Sequence, residues 1–157
     1  LRGRDDNQKI LTTQVDRISN PDRKARFEFI IPSLSNDSNV RDNFFELIKK
    51  EENREIEPWV QSAVAYLHHP LRSKEAEKYI RPSLELLEEI QRTGDIFFPA
   101  RFMNATLSGH QSASARKIVN QFLDDYPNYS PQLKLKILQA ADNLFRASLI
   151  IEKKNKN

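Results

Sequence analysis

The sequence predicts an all-α fold, and three observations support this. Only three glycines occur in 157 residues, whereas β architectures need many tight turns. Apolar residues recur at intervals of three and four, which is the period of an α-helix. Capping side chains and prolines stand where such stripes begin and end. Seven to eight antiparallel amphipathic helices with short connections favour an α-solenoid of the HEAT or armadillo kind, formed by residues 1–157 as one domain.

Capping signals and prolines place the helix ends. Asn20-Pro21 and Ser130-Pro131 each put a capping side chain before a proline at the first helical position. Pro58 is expected to begin a helix in the same way. Pro70 and Pro127 follow apolar stripes and indicate stops, and Gly94 is expected to be a left-handed C-terminal cap. The expected helices are 7–18, 21–31, 39–50, 57–68, 73–92, 98–108, 113–125 and 131–150.

Apolar stripes justify these helices in turn. The clearest stripes are Val40, Phe44, Leu47 and Ile48; Trp59, Val60, Ala63, Val64 and Leu67; Ala76, Ile80, Leu84, Leu87 and Ile90; Ala115, Ile118, Val119, Phe122 and Leu123; and Leu133, Ile137, Leu138, Ala141, Leu144 and Phe145. Pro82 lies inside the third stripe, so a kink or break is expected there. The segments 27–31 and 95–98 also fit strands, but a lone strand has no partner, so helix is expected at 27–31.

Composition excludes several classes of function. Twenty-five basic and 22 acidic residues leave a net charge of +3, a weak signal for nucleic acid. The basic run Lys153, Lys154 and Lys156 is expected to be a solvated tail, with residues 1–19 and 152–157 as frayed ends. The absence of cysteine excludes disulfides and thiolate metal sites. No apolar run is long enough to span a membrane.

The candidate catalytic groups are few. His68 and His69 are adjacent and precede Pro70, and His110 is the third histidine. Because zinc needs three or four ligands, we interpret these imidazoles as groups that cap helix carbonyls. The glutamates at 51, 52, 55 and 57 indicate a solvated linker. We therefore expect no catalytic residue and no metal or cofactor site in this chain, which is expected to be part of a larger protein.

One arginine stands among aromatic residues. Arg101 lies close in sequence to Phe97, Phe98 and Phe102. Aromatic rings could hold its guanidinium rigid and point it at an anion. The alternative is a surface arginine whose stem covers apolar area.

Six segments of the chain resemble the C-terminal helical domain of zinc metalloaminopeptidases of the aminopeptidase N type, a gluzincin family, and most closely its bacterial branch. They are RFEFIIPSLS (26–35), EPWV (57–60), YLHHPLR (66–72), YIRPSLELL (79–87), GDIFFP (94–99) and KLKILQAADNLFR (134–146). The resemblance covers roughly residues 20–147.

The resemblance implies a non-catalytic α-solenoid that packs over a preceding catalytic domain of the same polypeptide. That domain carries the zinc, and the helical domain helps to enclose the chamber that receives peptide substrates. Some relatives also supply basic residues toward the far end of the peptide, and Arg72 and Arg101 are the candidates for this role here.

Two other functions remain open. One is a free-standing helical-repeat scaffold that binds another protein. A nucleic-acid-binding helical repeat is the weakest alternative, since only the charge of +3 suggests it. Nucleic acid is therefore not an expected partner, and the sequence does not predict a compartment.

Overall fold

The part of the chain that the structure describes, residues 7–154, consists of α-helices and short connections and contains no β-strand. The structure is a computed structural model. Its helices are α1 (Asn7–Arg17), α2 (Pro21–Leu34), α3 (Ser38–Ile48), α4 (Glu57–Leu67), α5 (Ser73–Glu85), α6 (Leu87–Thr93), α7 (Phe98–Leu107), α8 (Ala113–Asp125) and α9 (Pro131–Lys154). Short 3-10 helices cover Glu51–Asn53 and Pro70–Arg72. The all-α prediction is confirmed for these residues.

Helix α2 begins at the capping side chain that was expected, and α8 begins at a capping serine that was not predicted. The Asn20 side chain accepts a hydrogen bond from the Arg23 amide at 3.0 Å, and Pro21 is the first residue of α2. Ser112 accepts one from the Ala115 amide at 3.0 Å at the start of α8. Each bond satisfies an amide that the first helical turn leaves without a partner.

Two buried arginines donate hydrogen bonds to the carbonyls at the C-terminal ends of two helices, where a glycine cap is common. Arg41 donates from Nη1 to the carbonyls of Ser35 and Asn36 at 2.6 and 2.9 Å, just beyond α2. Arg54 donates from Nη1 to the carbonyls of Ile48 and Lys49, at the end of α3. A charged donor thus satisfies carbonyls at the C-terminal ends of helices, which the helix itself leaves without a partner.

The expectation that Gly94 is a left-handed cap was wrong. Gly94 has φ −99° and ψ 177°, which is extended backbone and not a left-handed cap. Pro32 lies inside α2, which continues three residues past the expected end at residue 31. Within α2, the segment 27–31 is helical, as expected.

The break between α5 and α6 has a different cause from the one expected. Pro82 lies inside α5, and the helix is interrupted only at Leu86. The Tyr129 hydroxyl donates to the Leu84 carbonyl at 3.0 Å and accepts from the Glu88 amide. An uninterrupted helix would join Leu84 and Glu88 directly, so the phenol takes the place of one helical hydrogen bond where α5 ends and α6 begins. Burial, followed by the nearby Glu88 carboxylate, raises the pKa of Tyr129.

The chain divides into two compact units, Leu1–Leu67 and His68–Asn157, here called unit 1 and unit 2. In unit 1, α2 packs against α3 and α4, and the Phe29 ring contacts the rings of Phe44 and Trp59. In unit 2, α9 packs against α7 and α8, and α8 packs against α5. The largest fully buried side chains of unit 2 are Ile80, Leu84, Leu87, Ile90, Phe98, Phe102, Met103, Leu107, Phe122 and Ile137. The expectation that residues 1–157 form one domain stays a prediction.

The expected frayed ends lie only partly within the described residues. Residues 1–6 and 155–157 are outside them, so Lys156 of the basic run is outside as well. Lys153 and Lys154 form the last turn of α9, where positive charge interacts favourably with the helix dipole.

Replacing Tyr129 with Phe tests the inserted hydroxyl. We expect Tyr129→Phe to lower the free energy of unfolding by about 1–3 kcal/mol, since two buried backbone groups lose a partner. Chemical denaturation gives the free energy, and hydrogen exchange of the Glu88 amide reports on the local break. Tyr66→Phe, at an exposed tyrosine, is the matched control. Equal stability of the two variants would contradict the inserted-hydroxyl account.

Candidate functional site

Arg101 is exposed in the first turn of α7 and is held by one aromatic ring. Its guanidinium carbon lies 5.6 Å from the centroid of the Phe97 ring, and Phe97 is itself 60% exposed. Such a cation–π contact orients the guanidinium while leaving its N–H groups accessible. Phe98 and Phe102 are buried and pack edge to face with each other at 5.9 Å. The aromatic cluster therefore separates into a core pair and the surface ring that supports Arg101.

Arg72 occupies a different environment from Arg101. It is the last residue of the 3-10 helix Pro70–Arg72 and is only 8% exposed. A buried guanidinium contributes to the interior of unit 2, whereas an exposed one can meet a ligand without rearrangement. Of the two arginines, Arg101 is therefore the more accessible, and the substrate-binding role of both stays a prediction.

A buried pair of histidines lies in unit 2. His68 Nδ1 and His110 Nε2 are 2.8 Å apart, the ring centroids are 5.1 Å apart, and each residue is 1% exposed. The interpretation of these imidazoles as caps for helix carbonyls was wrong. His69 Nδ1 instead accepts a hydrogen bond from the Leu71 amide at 3.2 Å, at the start of a 3-10 helix.

Gly109 lets the two histidine-bearing segments approach each other. A Cβ atom at position 109 would lie 1.8 Å from the carbonyl oxygen of His68. Only a residue without a side chain tolerates such close contact of two backbones. The turn after α7 is closed by the His110 amide, which donates to the Leu107 carbonyl at 3.1 Å. The approach of backbone to backbone thus brings the imidazoles within hydrogen-bond distance.

The histidine pair is arranged for neutral imidazoles. A hydrogen bond between two neutral rings requires one to donate and the other to accept. Burial, and secondarily the neighbouring His110, hold the pKa of His68 well below its ordinary value. Burial lowers the pKa of His110, while the Glu77 carboxylate opposes that shift. Within the described residues, the outer nitrogens His68 Nε2 and His110 Nδ1 have no hydrogen-bond partner.

A tyrosine ring and a carboxylate interact with the histidine pair. The Tyr79 ring meets His68 edge to face at 6.1 Å. Glu77 accepts hydrogen bonds from the hydroxyls of Ser112 and Ser114 at 2.5 and 2.8 Å. A proton added to the pair therefore creates a buried charge whose nearest acidic group already has two hydrogen-bond donors. This arrangement makes the pair sensitive to acid.

Neither a metal cluster nor a membrane span is found in the described part of the chain. Residues 7–154 contain no group of three or more histidine or acidic side chains placed to hold a metal ion. None of the helices in that range has both the length and the apolar character needed to cross a bilayer.

Comparisons with protein-family models, with curated proteins and with solved structures find no match to this chain.

The histidine pair predicts a pH-dependent stability. Both pKa values are lowered on folding, so below the ordinary value of 6.5 the unfolded chain binds protons that the folded chain does not. The free energy of unfolding should therefore be fully maintained above pH 6.5 and fall as the pH drops below it. Urea denaturation between pH 5 and 8 measures this fall. The double variant His68→Leu/His110→Leu should have a flatter profile, and stability that rises on acidification would contradict the neutral pair.

The close approach of the two backbones at Gly109 predicts that a side chain at this position lowers the stability of the fold. In Gly109→Ala the added methyl group meets a backbone oxygen, which cannot rotate away. We expect the variant to lose about 1–3 kcal/mol of stability, the usual cost of overpacking. Gly94→Ala is the control, because Gly94 has an ordinary extended φ of −99°. If thermal unfolding finds the two variants equally stable, the close backbone approach is absent in solution.

Proposed function

We propose that this chain is the non-catalytic C-terminal helical domain of a zinc aminopeptidase of the aminopeptidase N type. Such an enzyme removes N-terminal residues from peptides. In this proposal the chain packs against the catalytic domain of the same polypeptide, helps to enclose the active-site chamber and limits the access of substrates. The six segments between residues 26 and 146 that resemble this domain support the proposal.

The Arg101–Phe97 contact is the observation in the structure that carries the proposal. A chamber wall that meets peptides needs polar groups that are accessible and held in place. Arg101 satisfies both conditions, because it is exposed and its guanidinium lies 5.6 Å from the Phe97 ring. A guanidinium fork can bind the carboxylate of a peptide in bidentate fashion.

In this proposal the helices form antiparallel pairs that stack as a HEAT-like solenoid. The short connections between helices favour such pairs. The packing of α2 on α3 and α4, and of α9 on α7 and α8, is compatible with layers of neighbouring helices. An experimental structure of the full-length protein would test the arrangement.

The zinc ion belongs to the catalytic domain in this proposal. Zinc lowers the pKa of a bound water and polarises the scissile carbonyl. The contribution of this chain is confined to holding and admitting the peptide, and none of its residues is assigned to the metal. Sequencing the reading frame upstream of Leu1 is the simplest test, because the proposal requires a His-Glu-x-x-His segment there.

A free-standing scaffold for protein–protein interaction is the second candidate. One observation favours it: Leu135, Leu138 and Leu149 are exposed on α9, and their spacing places them on one face of the helix. Exposed apolar side chains on one face are typical of interaction surfaces. A reading frame without a catalytic domain would favour the scaffold over the peptidase domain.

The peptidase proposal predicts a substrate-dependent effect of Arg101→Ala in the full-length enzyme. We expect KM to rise about two- to tenfold for a tripeptide with a free C-terminus. A charged hydrogen bond contributes about 1.5–3 kcal/mol, and solvent screening at an exposed site reduces this value. The C-terminal amide of the same tripeptide should be nearly unaffected, because it has no carboxylate. Steady-state kinetics on both substrates measure the difference.

Arg92→Ala is the matched control for this experiment. Arg92 is an exposed arginine in the last turn of α6, and its loss changes the net charge equally. An equal change in KM for the acid and the amide, or the same change in both variants, would show that Arg101 has no specific role in binding the carboxylate.

A further inference from the structure

Unit 1 contains an open groove of about 510 Å³ that combines a charged end with an apolar floor. Its lining residues are Ile18, Arg23, Arg26, Phe27, Ile30, Leu34, Ser62 and Tyr66. The volume is within the usual range for sites that bind small molecules. The groove does not include Arg72, Arg101 or the histidine pair, and the proposed function does not use it.

The α2 helix supplies most of the groove because five of its residues share one face. Positions 23, 26, 27, 30 and 34 are separated by three, one, three and four residues, which aligns them along the helix. The two arginines are at the N-terminal end of this stripe, and the apolar side chains follow. From position 23 to 34 the helix rises by about 16 Å. The groove is therefore elongated, with charge at one end.

A hydrogen bond to Ser62 orients the Arg26 side chain at the charged end of the groove. Its Nη2 donates to the Ser62 hydroxyl at 3.0 Å, and that hydroxyl donates to the Pro58 carbonyl at 2.8 Å. The Ser62 hydroxyl thus fixes the guanidinium against α4, while the remaining N–H groups of Arg26 are available to another acceptor. Among residues 7–154, no carboxylate forms an ion pair with Arg23 or Arg26.

The polarity of the groove identifies the class of ligand. Two guanidinium groups favour an anion, and carboxylates fit their planar donors. Phe27, Ile30 and Leu34 favour an apolar chain attached to that anion. The apolar part of the groove runs from Phe27 to Leu34, over which the helix rises by about 10 Å. Three bonds of an extended chain span about 3.3–3.6 Å, so this part accommodates on the order of nine bonds. A nucleic acid fits poorly, since it would bring many charges to an apolar floor.

We infer that the groove in unit 1 binds an amphipathic monocarboxylate with an extended apolar chain of medium length, such as a medium-chain acyl carboxylate. The carboxylate pairs with Arg26 and Arg23, and the chain lies along the apolar face of α2 toward Leu34. This inference does not depend on the proposed peptidase role, because it concerns a different unit and a different ligand.

Titration of the full chain with decanoate, below its micelle-forming concentration, tests the inference. Isothermal calorimetry gives the affinity, and NMR chemical shifts of Ile18, Leu34 and Tyr66 locate the ligand. We expect saturable one-site binding that strengthens about two- to fourfold for each CH₂ added between hexanoate and decanoate. Decanol, which has the same chain and no charge, should bind at least tenfold more weakly.

The double variant Arg23→Gln/Arg26→Gln should weaken decanoate binding about tenfold or more and leave decanol unaffected. Lys24→Gln is the matched control, because it removes a positive charge from the same turn of α2 without lining the groove. Circular dichroism checks that both variants fold. Equal affinity for decanoate and decanol, or equal losses in the double variant and the control, would overturn the inference.

Titration with peptides distinguishes this ligand from an apolar segment of a protein. An apolar hexapeptide with a free carboxylate, and its C-terminal amide, are titrated in the same way. Binding of the peptide acid without binding of decanoate would overturn the acyl carboxylate and assign the groove to peptides. The absence of any shift at Ile18, Leu34 and Tyr66 with all ligands would show that the groove is only a solvated surface.

Discussion

The buried arginines that close the ends of helices are the interaction on which the rest of unit 1 depends. Every helix leaves carbonyls without partners at its C-terminal end, and glycine is scarce in this chain. Arg41 satisfies the carbonyls after α2, and Arg54 those at the end of α3. Each arginine lies five or six residues beyond the carbonyls that it binds. The closure is therefore local, and it satisfies the C-terminal ends of α2 and α3 from the residues that follow each helix.

In unit 2, side chains that are distant in sequence form the corresponding hydrogen bonds. The Tyr129 hydroxyl completes the ladder between α5 and α6 across 45 residues, and the His68–His110 bond spans 42. Such contacts form only when the helices have packed. The stability of unit 2 therefore depends more on its tertiary arrangement than on the propensities of single helices, and its buried histidines connect that arrangement to acidity.

The sequence predicts the starts of helices better than their interruptions. The side chains of Asn20 and Ser112 each accept a hydrogen bond from an amide three residues away, so a local sequence pattern is sufficient to indicate such caps. The break at Leu86 depends on Tyr129, and no local pattern indicates it. The histidine pair was missed for the same reason, although both histidines stand beside turn residues, Pro70 and Gly109. The aromatic neighbours of Arg101 make it a candidate from sequence alone, and its role stays a prediction, but only the structure distinguishes the exposed ring of Phe97 from the buried ones.

The inserted hydroxyl of Tyr129 also has a consequence for the order in which the molecule takes shape. On the ribosome, the segment from Ser73 to Thr93 is made before Tyr129, so the Glu88 amide and the Leu84 carbonyl are then free to bond directly. Within residues 73–93, Pro82 is the residue that disfavours one continuous helix. Before Tyr129 is made, no phenol competes for the Leu84 carbonyl, so the separation of α5 from α6 depends on a residue 45 positions downstream of Leu84.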